Sequence, residues 1–221
     1  WAAKTLGYRA VTPALSGAVT LSAWYRPGAL GSVDSIAGKN WALDAQSPSY
    51  SLAKAGASSG DDARFAVRLD GDPAASLDGP SLVNTGTWYH LTGTYDSQGG
   101  ADNHKIYVNG VLGNSASRIG TLLWNSQSFL MGAAVVSNAW RYGSGGLDEV
   151  RVADVARSPD WIWAEWMNGA ANDTFVRCQA PDGLPTVVNG SATGVTATAG
   201  WLVGSLLTTG GQPPAVFVYW G

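Results

Sequence analysis

The chain has 221 residues and a net charge of −3, with 13% charged and 45% apolar residues. That balance excludes a disordered segment, and basic residues scattered singly exclude a phosphate-tracking surface, so no nucleic-acid partner is expected. No run approaches the roughly 20 apolar residues of a membrane span, and the single cysteine, Cys178, rules out an internal disulfide.

Val19–Arg26 alternates cleanly, placing Val19, Leu21, Ala23 and Tyr25 on one face and Thr20, Ser22, Trp24 and Arg26 on the other. Residues 28–62 are rich in Gly, Ser and Asp, with one short strand expected near Tyr50–Leu52. Ala63–Leu69 reads as a strand with Phe65, Val67 and Leu69 on one side, and Trp88–Asp96 as a longer strand. Asn109-Gly110, between Lys105–Val108 and Val111-Leu112, predicts a two-residue hairpin turn with positive φ at both positions. Ser128–Ala133 and Leu147–Val152 complete the strand series.

A short helix is then expected. Ser158-Pro159 supplies a capping hydroxyl and a proline suited to the first helical position, and Asp160 adds favourable charge there. Asn168-Gly169 is read as its stop. Trp161, Ile162 and Trp166 are expected to pack on a sheet, with Trp163 outside. Short strands with almost no helix, 29 glycines and 11 tryptophans indicate an all-β antiparallel sandwich, or jelly roll, closed by one short helix.

Composition shifts after Phe175. The expected organisation is a domain over residues 1–177, a linker over 178–185 holding Cys178, and a partial immunoglobulin- or fibronectin-like β segment over 186–221. Cys178 reads as an unpaired thiol, with an intermolecular disulfide as the alternative. The chain opens at Trp1 without a signal-like segment, which reads as a processed or excised piece.

Four motifs, VTLSAWYRP at 19–27, GTWYHLTGTYD at 86–96, KIYVNGVL at 105–112 and GLDEVRV at 146–152, resemble in content and order the LamG-like jelly rolls. These are concanavalin A-like sandwiches of large multidomain bacterial surface proteins. RSPDWIWAEWMN is similar to the closing helix of such proteins, and the tail resembles a repeat that follows the jelly roll. The departure is at the N-terminus, where only Leu6–Val11 stands for the family's earlier Gly-rich strand. The resemblance implies binding or architecture in an extracellular, cell-surface setting.

Catalytic readings find little support. Glucanase-like relatives carry Glu-x-Asp-x-x-Glu on one strand, whereas this chain has two glutamates, Glu149 and Glu165, outside that pattern. Asp148 and Glu149 are adjacent, so a regular strand points them to opposite faces; the bland role is that one caps a turn or pairs with Arg151 or another arginine. His90 and His104 belong to no triad or zinc spacing, and His90 is expected to be a hydrogen-bonded structural histidine. Calcium is the one metal considered, at loops carrying Asp96, Asp102 and Asn103, with Asp34 and Asp44 or Asp61 and Asp62 as other loops.

Sugar binding would use Trp24, Trp41, Trp124 and Trp140, three of them in loop-like sequence. The leading expectation is a non-catalytic extracellular module that binds glycan or a surface protein in adhesion. The alternative is a self-assembling structural subunit. In it the strand containing Ala215, Phe217 and Tyr219 is completed by a copy of the chain through exposed edges. A third reading, a divergent glycoside hydrolase, rests on Glu149 and Glu165 alone.

Overall fold

The structure is a computed structural model describing residues 15, 17–39, 49–123, 128–136, 139–175, 186–201 and 203–208. It divides into two compact units, Trp1–Asn172 and Asp173–Gly221.

The first unit is an antiparallel two-sheet sandwich. One sheet has the order β12 (Gly145–Ala153), β1 (Ala18–Pro27), β6 (Tyr89–Asp96), β7 (His104–Val108), β8 (Val111–Ala116). The other runs β5 (Asp72–Ser81), β4 (Asp62–Leu69), β3 (Tyr50–Lys54), β2 (Asp34–Lys39), β9 (Phe129–Met131). A separate hairpin pairs β10 (Ala133–Val136) with β11 (Ala139–Tyr142).

The alternation in β1 and β4 sets the core. Val19, Leu21, Ala23 and Tyr25 meet Phe65, Val67 and Leu69 in one cluster, all of them buried. Each such large apolar side chain contributes about 1.5–3 kcal/mol by leaving water. The Asn109-Gly110 turn forms as expected, with φ of 52° and 75°.

Three strands escape the sequence reading, β2, β5 and β11. β2 is fully buried although it carries Asp34, Ser35 and Lys39. β5 contains Pro73, Gly79 and Pro80, and it lies at a sheet edge, where a missing N–H donor is tolerated.

The polar face of β1 is covered by helix α1 (Pro159–Ala170). Ser158 caps it as expected, its Oγ accepting from the Trp161 N–H, with Pro159 in the first turn. The Thr20 hydroxyl clips the approach to the helix, donating to the Val155 carbonyl at 2.6 Å and accepting from the Arg157 N–H at 2.9 Å.

The stop differs from expectation. The helix runs past Gly169, and its C-cap Ala171 has φ −150°, not a left-handed conformation. Gly169 serves close packing instead, because a Cβ there would lie 2.6 Å from the Trp24 ring. Ile162 is fully buried, whereas Trp161 is 53% exposed beneath the Arg157 guanidinium, so its expected packing on the sheet is corrected. Trp163 is largely exposed, as expected.

In the second unit, β13 (Thr186–Asn189) pairs antiparallel with β14 (Gly204–Thr208), and Thr193 bridges to Trp201. The strand expected at 215–220, with Ala215, Phe217 and Tyr219, lies outside the described residues, as do Leu6–Val11 and Cys178. Among the described residues no helix is long and apolar enough to cross a membrane.

Candidate functional site

A groove of about 570 Å³ opens between α1, strand β12 and the 109–110 turn. Its walls carry three tryptophans, Trp24, Trp88 and Trp166, and four charged side chains, Asp148, Glu149, Arg151 and Glu165. Residues as distant in sequence as Trp24 and Ala170 are gathered because α1 folds back over the sheet that holds β1 and β6.

Each tryptophan is fixed by backbone that fits it. Trp24 stands on the outer face of β1, with its ring against Gly169 of α1 and its centroid 5.2 Å from the His90 ring. Trp166 rests on the hairpin turn, with a ring carbon 3.0 Å from where a Gly110 Cβ would be. That turn is tied down on both sides: the His90 N–H donates to Asn109 Oδ1 at 2.9 Å, and the Asn109 N–H donates to the His90 carbonyl at 2.7 Å. Trp88, 39% exposed, carries the Arg26 guanidinium 5.2 Å from its ring centroid.

The charged wall corrects the sequence reading of Asp148 and Glu149. Ser22 pairs with Arg151 and Trp24 with Asp148, so two residues of β12, Glu149 and Val150, oppose the single residue Ala23. This β-bulge puts Glu149 at φ 51°, and Asp148 Oδ1 accepts from the Glu149 N–H at 2.8 Å. The regular alternation is broken there, and both carboxylates line the groove. The expected pairing with Arg151 does form, between its Nη2 and Glu149 Oε2. Arg151 Nη1 also donates to Glu165 Oε1 at 2.6 Å, and Ser22 Oγ donates to the same oxygen at 2.9 Å.

His90 lies beneath this wall, 1% exposed, with Nε2 4.0 Å from Glu165 Oε2. Neither ring nitrogen makes a hydrogen bond, so the expected hydrogen-bonded histidine is corrected to a buried, π-packed one. Burial holds its pKa below the ordinary imidazole range; Glu165 pulls upward and Arg151 pushes down again. The imidazole is therefore neutral at neutral pH.

Of the tryptophans singled out from sequence, Trp24 lines the groove. Trp41 and Trp124 lie outside the described residues, and Trp140 falls in β11, of whose side chain nothing is described. Trp88 and Trp166 were not read as sugar-binding, and Trp166 was expected to pack on a sheet. Their only local signals were a strand start and a helical face, neither of which marks a groove.

Several side chains of the calcium loops have protein partners, and Asp44 lies outside the described residues. Asn103 Nδ2 donates to the Asp96 and Arg118 carbonyls at 2.8 and 2.9 Å, its Oδ1 accepts from the Arg118 N–H, and Asp96 Oδ1 accepts from the Gln98 N–H. Asp102, at φ 53°, donates its N–H to Ser117 Oγ. Asp34 and Asp61 flank the Lys54 ammonium, at 3.7 and 2.7 Å. Among the described residues no three His, Cys, Asp or Glu side chains come together as a metal site.

The fold has known counterparts. A proposed carbohydrate-binding protein from Bacteroides ovatus ATCC 8483 superposes with a TM-score of 0.53 at 23% identity, over 66% of this chain and 40% of its own. The chain thus spans less than half the length of that protein. The CBM40 of the Ruminococcus gnavus IT-sialidase, bound to α2,3-sialyllactose, superposes with a TM-score of 0.53 at 17% identity, over 68% of this chain and 83% of its own. Trypanosoma rangeli sialidase aligns at 13% identity and a TM-score of 0.50, over 70% of this chain but 23% of its own. At such identities the likeness concerns the fold. No curated protein matches the sequence. The family's sequence profile covers residues 5–163, which takes in the groove residues from Trp24 to Arg151 and stops short of Glu165 and Trp166, and on that match the chain belongs to the concanavalin A-like lectin/glucanases superfamily.

Proposed function

We propose that the chain is a non-catalytic carbohydrate-binding module and that its ligand lies in the groove beside α1. The observation that carries this reading is the meeting of Trp24, Trp88 and Trp166 with four charged side chains in one concavity of about 570 Å³. Aromatic rings supply apolar faces for the C–H surfaces of a sugar, and fixed polar groups orient its hydroxyls. The superfamily and the two carbohydrate-binding neighbours support it.

A hydrolytic reading fits the groove less well. Glycoside hydrolysis needs two carboxyl groups facing one bond from opposite sides, about 5–9 Å apart. Here Glu149 and Glu165 both turn onto one guanidinium. A secreted or cell-surface parent protein, with adhesion as the use of the module, completes this reading.

Calorimetric titration of a panel of oligosaccharides into the 221-residue chain tests it. Saturable binding that Trp88→Ala and Trp166→Ala each weaken about tenfold or more is the expected result. Binding undisturbed by both changes would move the site elsewhere, and a blank panel would remove the reading.

A second reading, self-assembly, is favoured by the second unit. In its two-stranded sheet Val187, Val188 and Leu207 are 51%, 49% and 61% exposed, and an isolated two-stranded ribbon is marginal in water. Light scattering over a concentration series decides it: a constant monomer mass would sink the assembly role.

A further inference from the structure

We infer that the groove selects glycans bearing free amino groups and rejects acidic sugars. The inference rests on the proposed glycan site and names its ligand class. Three carboxylates, Asp148, Glu149 and Glu165, line the groove against one cation, Arg151, which leaves two negative charges in excess. Counting Arg26, which lies over Trp88 at the groove's edge, still leaves one.

The lining guanidinium is also engaged. An acidic sugar is held best by a guanidinium that offers two parallel N–H donors. Arg151 Nη1 is taken by Glu165 and Nη2 by Glu149, so its fork already faces protein carboxylates. The Arg26 guanidinium is stacked on a tryptophan ring. His90, 1% exposed with both ring nitrogens lacking hydrogen bonds and Nε2 directed toward Glu165 at 4.0 Å, adds no positive charge while neutral. A carboxylated sugar would thus enter a net negative groove whose one lining guanidinium already holds two protein carboxylates.

An alkylammonium finds the reverse. Glu149 is half exposed and Asp148 is exposed, so each has lone pairs open to the groove. The tryptophan rings offer π faces on which a cation is stabilised within about 6 Å of the centroid. Carboxylates beside aromatic faces suit a protonated hexosamine.

The test titrates three probes into the full chain at mildly acidic pH: a chitosan tetrasaccharide with free amines, its fully N-acetylated counterpart, and 3′-sialyllactose. The first two share one skeleton and differ in charge. The free-amine probe is expected to bind about five- to tenfold tighter than the acetylated one, as one partly exposed charge pair allows. Sialyllactose is expected to bind weakest. The double change Asp148→Asn with Glu149→Gln is expected to bring the amine-to-acetyl ratio toward one, with melting curves confirming that the variant is folded.

Equal binding of the first two probes, or tighter binding of sialyllactose, overturns the inference and leaves the glycan site standing. An amine preference that survives Trp88→Ala together with Trp166→Ala overturns it as well, since the attraction would then be diffuse. A blank for all three probes overturns both the inference and the glycan reading.

Discussion

Lys54 lies between Asp34 and Asp61, and Arg151 lies between Glu149 and Glu165. Each cluster is one cation flanked by two carboxylates on the same sandwich. The Lys54 side chain is 0% exposed and Asp34 2%, whereas the Arg151 and Glu149 side chains are each 50% exposed. In the buried cluster every group is spent on the fold. Lys54 Nζ also donates to the Ser32 carbonyl, Tyr25 Oη donates to Asp34 Oδ2 at 2.7 Å, and the Gly31 N–H donates to Asp61 Oδ1 at 2.7 Å. Strands β1, β2 and β3 and the loops carrying Ser32 and Asp61 are joined this way. In the groove cluster only Glu165 is tied into the helix packing, and the remaining acceptor capacity faces solvent. The same charge pattern thus makes a structural joint where water is excluded and a recognition surface where it is not.

The largest effect is expected on the buried side. Lys54→Met removes the cation and leaves two carboxylates facing each other out of water, which costs on the order of 3–5 kcal/mol. For a domain of this size that is a fall of roughly 10 °C in melting temperature. A scan showing a fall under about 3 °C would mean the cluster contributes little and the contrast with the groove is false.

That contrast was only half legible in the sequence. Alternation marked β1 and β4 because one face of each meets the core, and Ser158-Pro159 marked α1 because capping is a local event. Asn109-Gly110 marked its turn for the same reason. The buried cluster was invisible because β2 and the loop before β4 look like solvated polar sequence until Lys54 is placed between them. The groove was hidden for a different reason. Trp24, Trp88, Asp148 and Trp166 share no periodicity, and the bulge at Glu149 rests on a positive φ that glutamate does not advertise. Long-range packing wrote both features, and local propensity carries none of it.

Acid offers a second way to separate the clusters. The histidines lie outside the buried one: His90 beneath the groove wall, and His104 in the core beside Phe65 and Tyr95. Burial pushes His104 from 6.5 down to about 4. Its imidazole stays neutral in the folded chain while the unfolded chain takes up a proton below the ordinary value. Stability is therefore unaffected above about pH 6.5 and falls as the pH drops toward 4, by about 3 kcal/mol in all. His90 acts in the same direction. The buried cluster responds later. The Lys54 ammonium, helped by the Gly31 N–H, holds the Asp61 carboxyl below its usual 3.8, so its contribution is lost only as the pH falls through that lower value. Urea melts at a series of pH values are expected to show a histidine-driven decline first, shallower in His104→Phe. A decline that begins only below about pH 4 would reverse the order and place the acid-sensitive charge in the Lys54 joint.

The smallest stability effect belongs to Glu149→Gln. Its contact with Arg151 is half exposed, so screening and side-chain entropy leave it worth less than about 1 kcal/mol. Its position at φ 51° on the bulge is unchanged by an amide of the same shape. A melting temperature within a few degrees of the parent is the expected result. The change nevertheless takes one negative charge from the groove and replaces a charge-assisted contact to Arg151 Nη2 with a weaker neutral one. Stability and recognition should therefore part company here, with acidic sugars gaining affinity as the fold stays put. A large loss of stability would show instead that the Glu149–Arg151 pair holds the bulge, and the groove cluster would join the Lys54 cluster as structure.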